Sequence, residues 1–126
     1  MKMGGTGSAQ ETGRGPGKGF TLNVPIPPHT PREEIRARFR AGLNEVAARF
    51  RPELVLISAG FDMHHADPLG GLALEAEDYA EMTGEVAELF MKSEGCGLVS
   101  CLEGGYNLPA LGKSAVAHVK ALRQTF

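Results

Sequence analysis

The chain has 126 residues, which suits one domain and would be a squeeze for two, and its 42% hydrophobic and 22% charged residues are ordinary for a soluble globular protein. Thirteen Lys and Arg stand against fifteen Asp and Glu, a net charge of −2, so no basic excess argues for nucleic acid or an anionic membrane as partner. The apolar runs are far too short to span a bilayer, no secretory h-region opens the chain, and two cysteines make no disulfide framework; together these point to a cytoplasmic location.

Seven of the 17 glycines precede residue 20. Residues 1–19 carry almost no apolar side chain beyond Met1 and Met3 and read as a Gly-rich loop segment ahead of an α/β unit over 20–126. Gly13-Arg14-Gly15-Pro16-Gly17-Lys18-Gly19 resembles a phosphate-cradling loop, but no strand precedes it, Pro16 interrupts it and no Ser or Thr follows Lys18. A loop without a nucleotide is expected there.

Phe20 to Ile26 alternates in residue type and is rich in β-formers, which predicts a strand ended by Pro25, Pro27 and Pro28. A helix then starts at Thr30-Pro31-Arg32-Glu33, with Thr30 as cap, Pro31 at the first position and Glu33 completing a capping box. Ile35, Phe39, Leu43, Val46 and Phe50 fall on one face of it. Its six arginines from Arg32 to Arg51 are interleaved with Glu and read as a solvated face. Pro52 stops the helix. Leu54 to Ala59 is a continuous apolar run, as in strands of parallel sheets buried on both faces. Tyr79, Met82, Val86, Leu89 and Phe90 predict a second helix closed by Gly95, Leu98 to Leu102 a further strand, and Leu108, Leu111, Ala115, Val119 and Leu122 a last helix.

Strands and helices thus alternate, which implies a parallel sheet with helices on its faces. Ligands in such sheets bind beyond the carboxyl ends of the strands, where segments 60–71 and 103–107 would lie together. The first, Gly60-Phe61-Asp62-Met63-His64-His65-Ala66-Asp67-Pro68-Leu69-Gly70-Gly71, holds two carboxylates and two imidazoles within six residues. Asp62 follows directly on a buried strand and needs a partner, either a metal or the loop's backbone N–H groups. His64 and His65 are adjacent, so their side chains should diverge, with His65 an exposed loop residue. In the second segment Gly104 and Gly105 let the backbone approach a ligand. Tyr106 could donate to a developing oxyanion or simply pack at the sheet edge, with Asn107 as a helix cap. Cys96 and Cys101 fit small buried roles rather than a metal pair or disulfide.

Ser58-Ala59-Gly60-Phe61-Asp62, Asp67-Pro68-Leu69-Gly70-Gly71 and Leu102-Glu103-Gly104-Gly105-Tyr106-Asn107-Leu108 together resemble the histone deacetylase superfamily, and within it the class II-like and bacterial branch with the acetoin-utilisation proteins and acetylpolyamine amidohydrolases. Gly5-Thr6-Gly7, Glu11-Thr12-Gly13 and Gly17 to Pro25 extend the resemblance over nearly the whole chain. It implies an arginase-like α/β fold with a catalytic Zn²⁺, and cleavage of acetyl-lysine or related acetamides by a metal-activated water. By position, Asp62 corresponds to a zinc ligand and Tyr106 to the residue that polarises the acetyl carbonyl. Gly104 and Gly105 correspond to the turn beside the substrate channel, and Pro68 and Leu69 to its wall, while Asp67 steadies the loop. Phe20 falls near a peripheral monovalent-cation site of the family, and Met3 near a channel-wall aromatic.

The family's Asp-x-His ligand pair and tandem histidines precede the segment matched by Gly5-Thr6-Gly7. The chain is therefore expected to be the C-terminal part of a longer domain. Two readings follow from the resemblance. One is an enzyme part that acts on an acetylated substrate once completed by a missing N-terminal half; the other is an inactive remnant that forms a homo-oligomer or binds a partner. His64 or His65 acting as a substitute ligand is a third route to a metal site, with His64 the alternative ligand.

Overall fold

The computed structural model describes residues 5–126, so Met1 and Met3 lie outside the described residues. Its elements are α1 (Arg32–Arg49), β1 (Leu54–Ala59), α2 (Ala76–Phe90), β2 (Gly97–Leu102) and α3 (Leu108–Thr125), preceded by a 3-10 turn at Gly15–Gly17. β1 and β2 form a parallel two-stranded sheet in register from Leu54 opposite Gly97 to Ala59 opposite Leu102. The α2 crossover between them is the βαβ unit that the alternation predicts. No helix among the described residues is long and apolar enough to cross a membrane.

Phe20 to Ile26 forms no strand. Leu22, Val24 and Ile26 instead line a groove of about 320 Å³ with Ile35, Phe39 and Leu43 of α1. The alternation that resembles a strand is one-sided packing on a helix. The start of α1 also differs from expectation. Pro31 is its N-cap, and the Thr30 hydroxyl donates to the Pro27 carbonyl at 2.6 Å, so no side chain caps the helix. The helix ends at Arg49, and Val46 and Phe50, placed on its apolar face by spacing, are exposed.

Arg36 corrects the solvated reading of the arginines. It is buried, and its guanidinium donates to Asp78, Glu81 and Glu85 of α2 at 2.9, 2.6 and 3.1 Å. Arg32 donates to the other Asp78 oxygen at 2.6 Å. Burial alone would raise the Asp78 carboxyl, but Arg32, the Glu75 backbone N–H and Arg36 outweigh it and hold Asp78 below the usual carboxylate range. α2 carries its own capping box between Glu75 and Asp78, so one buried carboxylate both caps α2 and docks α1 on it.

α2 buries Tyr79, Met82, Thr83, Val86, Ala87 and Phe90, close to the predicted stripe, although Leu89 is exposed and the helix is closed at Met91 ahead of the turn containing Gly95. α3 turns inward a face shifted from the predicted one, with Leu111 and Ala115 packed against the core as the spacing implies. Ala110, Ser114 and His118 are buried, while Leu108 and Val119 are exposed. Small side chains there let α3 approach α2 closely. Leu122 and Val119 instead wall a groove of about 620 Å³ shared with Leu98, Ser100 and Leu102 of β2.

The core joins Ile35, Ala59, Phe61, Leu74, Tyr79 and Met82. It covers one face of the sheet only. β1 alternates rather than being buried on both faces: Ile57 and Ala59 point into the core, while Leu54 and Leu56 are 55% and 71% exposed.

Candidate functional site

β1 and β2 end side by side, and the pairing runs on past both. The Glu103 N–H donates to the Ala59 carbonyl and the Phe61 N–H to the Gly104 carbonyl, each at 2.9 Å. Phe61 is buried with its ring edge-on to Tyr79 and His118, at centroid distances of 5.0 and 5.7 Å. It anchors the segment that places Asp62 beside Gly104.

The Asp62 carboxylate sits in a notch made by two missing side chains. A Cβ on Gly104 would lie 2.9 Å from Asp62 Oδ2, and one on Gly60 would lie 3.1 Å from Oδ1. Gly70 closes the loop from behind, since a Cβ there would land within the van der Waals envelope of the Asp62 carbonyl oxygen. The half-buried carboxylate is thus held at a sheet end, where this class of fold binds its ligands. A hard oxygen donor in a notch suits one position in a tetrahedral zinc shell. One carboxylate supplies one ligand and no more.

Asp67 ties the two segments together. Its Oδ1 accepts the N–H groups of Leu69 and Gly70 at 2.8 and 3.0 Å, and its Oδ2 accepts that of Tyr106 at 2.8 Å. Burial would raise this carboxyl, but the backbone donors from Tyr106, Leu69, Gly70 and Asn107 prevail and keep it below the ordinary range. Asn107 adds a second tie. Its Nδ2 donates to the Ala66 carbonyl at 3.1 Å while its Oδ1 accepts the Ala110 N–H, the predicted cap of α3. Pro68, Leu69 and Tyr106 are exposed on these tied loops, Leu69 at 71% and Tyr106 at 55%. Gly104 and Gly105 are partly buried between them, and Gly105, at φ 139°, packs where a Cβ would meet Leu111.

The two histidines do not diverge. His64 is buried and the ring of exposed His65 stacks on it, with centroids 4.5 Å apart and planes at 29°. His65 Nε2 is 3.2 Å from Glu75. Donor atoms of His64, His65 and Glu75 all lie within 4.8 Å of one another, in a group that does not include Asp62. His64 Nδ1 already accepts the Ala66 N–H at 3.0 Å, and stacked rings aim their in-plane lone pairs side by side rather than at a common point. Cys96 and Cys101 are both free, and Cys101 is exposed rather than buried.

Sequence reasoning brought Asp62, Gly104, Gly105 and Tyr106 to one sheet end. It missed the Asp67–Tyr106 tie and the part of Glu75. The Asx-turn potential of Asp67-Pro68-Leu69-Gly70 was a visible signal for the local half of the first; nothing in the spacing signals the long-range half.

Residues 4–122 match the family model of the histone deacetylase domain. The chain is 36% identical over 118 residues to histone deacetylase 14, chloroplastic, of Arabidopsis thaliana, covering 94% of this chain and 28% of that protein. It is 40% identical over 104 residues to a probable deacetylase of Archaeoglobus fulgidus, covering 82% and 29%. The fold superposes on the crystal structure of the HDA15 HD domain with a TM-score of 0.78 at 38% identity, over 95% of this chain and 33% of that one. It superposes on an acetylpolyamine aminohydrolase from Burkholderia pseudomallei with a TM-score of 0.79 at 25% identity, over 92% and 32%. The chain therefore spans about a third or less of the length of these relatives.

Proposed function

The chain belongs to the histone deacetylase domain family, and on that premise we propose that it forms the C-terminal part of a zinc-dependent amidohydrolase acting on acetyl-lysine or acetylpolyamine-type amides. The observation that carries the reading is the Asp62 carboxylate held in its glycine notch, with the Tyr106 turn tied beside it through Asp67. Asp62 would hold the metal as one ligand, together with ligands from the rest of the domain. A bound Zn²⁺ would supply Lewis acidity and lower the pKa of water to make a nucleophile at neutral pH. The Tyr106 phenol would donate to the acetyl oxygen as negative charge builds there. Gly104 and Gly105 let this turn pack close on the Asp62 carboxylate and Leu111, and Pro68 and Leu69 would wall the approach of an extended chain. The Asp67 tie would hold that wall at a fixed distance from the phenol. Two free cysteines fit a cytoplasmic setting.

Zinc content and turnover of an acetyl-lysine peptide test this, on the chain alone and mixed with the remaining two-thirds of a deacetylase domain supplied as a second polypeptide. Turnover and stoichiometric zinc are expected in the mixture. Asp62→Ala should abolish both, and Tyr106→Phe should lower kcat by about a hundredfold to a thousandfold, as for loss of one oxyanion donor. Turnover indifferent to both substitutions would overturn the proposal. The uncovered sheet face favours one other reading, a self-associating module without activity, which would give a stable homo-oligomer and no turnover in any mixture.

A further inference from the structure

We infer that Asp67 is the positioning residue for Tyr106, a two-sided carboxylate clip that fixes the phenol-bearing turn against the channel wall at Leu69. The inference rests on the proposed role of Tyr106. The turn is also tied at Gly104, whose carbonyl accepts the Phe61 N–H, and at Asn107, whose side chain donates to the Ala66 carbonyl, but Asp67 alone accepts the Tyr106 N–H. Tyr106 is 55% exposed, and its neighbour Gly105 has no side chain to pack. Its N–H finds an acceptor only across the loop, 39 residues away in sequence, on Asp67 Oδ2. The opposite oxygen of the same carboxylate serves Leu69 and Gly70, so one planar group bridges the Tyr106 amide to the Leu69 turn, beside the Asn107 tie. Asp67 is itself 8% exposed and is steadied by its own N–H, which donates to the His64 carbonyl at 3.0 Å.

Acceptors are needed at both ends of the group, and only a carboxylate provides them. Asparagine offers one carbonyl oxygen and one NH₂. Its oxygen should stay with Leu69 and Gly70, two and three residues on, because that local Asx turn suits Asn as well as Asp. The NH₂ would then face the Tyr106 N–H, donor against donor.

Hydrogen exchange on the whole chain resolves the two sides. In Asp67→Asn, the Tyr106 amide should exchange about tenfold to a hundredfold faster, matching loss of a bond to a charged acceptor. Leu69, Gly70 and the β1 and β2 amides should keep their rates. An unchanged Tyr106 rate, or a uniform rise at all these amides, would overturn the clip. The unsubstituted chain gives an independent reading. A scalar coupling across the hydrogen bond, from the Tyr106 nitrogen to the Asp67 carboxyl carbon, should be detectable by NMR, and its absence would equally overturn the clip. In the reconstituted mixture, Asp67→Asn should lower kcat with KM nearly unchanged, and should cost nothing further once Tyr106→Phe is present. An additive loss would mean that Asp67 acts by another route than Tyr106. If Tyr106→Phe leaves turnover intact, the role proposed for the phenol fails, while exchange and coupling still decide whether the clip exists.

Discussion

At the scale of single residues the site depends on atoms that are absent. Gly70 has no freedom to carry a side chain, because the Asp62 carbonyl occupies the place of its Cβ. Gly70→Ala should destabilise the fold by roughly 1–3 kcal/mol, the usual cost of overpacking, read as a fall in the urea midpoint. Gly104→Ala should act differently. Its Cβ would meet the Asp62 carboxylate rather than backbone, and a side-chain carboxylate can swing away. A small stability change with loss of zinc from the reconstituted protein is expected, so the two glycines separate fold from site. These positions also show what a sequence can convey about a site. Asp62, Gly104, Gly105 and Tyr106 were legible because motif and strand end coincide. The Asp67 contact to Tyr106 and the grouping of His64 and His65 with Glu75 were not, since contacts 39 and 10 residues apart between loops have no periodicity to betray them.

At the scale of elements, two polar clusters hold helices in place. Asp78 joins α1 to α2 through Arg32 and Arg36. Asp78→Asn should cost roughly 3 kcal/mol in chemical denaturation, the low end for breaking a buried pair, because Arg36 keeps Glu81 and Glu85. On α3, His118 Nδ1 lies 2.7 Å from the Thr83 hydroxyl and Nε2 lies 2.8 Å from the Ser100 hydroxyl. Thr83 spends its proton on the Tyr79 carbonyl, so Nδ1 donates to it. Burial lowers the His118 pKa and so favours the neutral ring, whose Nε2 then accepts from Ser100. The unfolded chain binds the proton more readily, so this contribution is complete above about pH 6.5 and is lost as pH falls from there through the folded value. Thermal melts across that range should show a decline that His118→Gln flattens. The same cluster explains an element that sequence placed correctly but faced only in part, since Leu111 and Ala115 pack on the core while Leu108 and Val119 do not. The leucine spacing of α3 located the helix, yet Ser114 and His118 face inward, because close approach to α2 and a satisfied imidazole outweigh burying Leu108 and Val119. β1 was located to the residue by its apolar run, whereas the alternation of Phe20 to Ile26 misled because a helix face, not a sheet, receives Leu22, Val24 and Ile26.

At the scale of the molecule the decisive feature is a sheet that, among the described residues, has two strands and one covered face. Leu54, Leu56 and Val99 are exposed on the other face at 55%, 71% and 49%, and Leu102 at 64% stands near the groove that Val119 and Phe126 also wall. A continuous apolar run reads as a strand buried on both sides, and that reading fails here for a physical reason. Burial is a property of what packs on the strand, and the solved relatives superpose on this chain over only about a third of their own length. Open parallel edges beside such a face favour association. Sedimentation equilibrium of the chain alone should therefore give a mass above 13.4 kDa that rises with concentration. Leu56→Glu, at the centre of the uncovered face, should shift it towards the monomer without altering the Asp62 notch, which lies beyond the strand end. Adding the remainder of a deacetylase domain should compete with self-association, because both would occupy one surface. If Leu56→Glu instead leaves the mass unchanged, or if the added polypeptide does not disperse the oligomer, association runs through some other surface than the open face of β1 and β2.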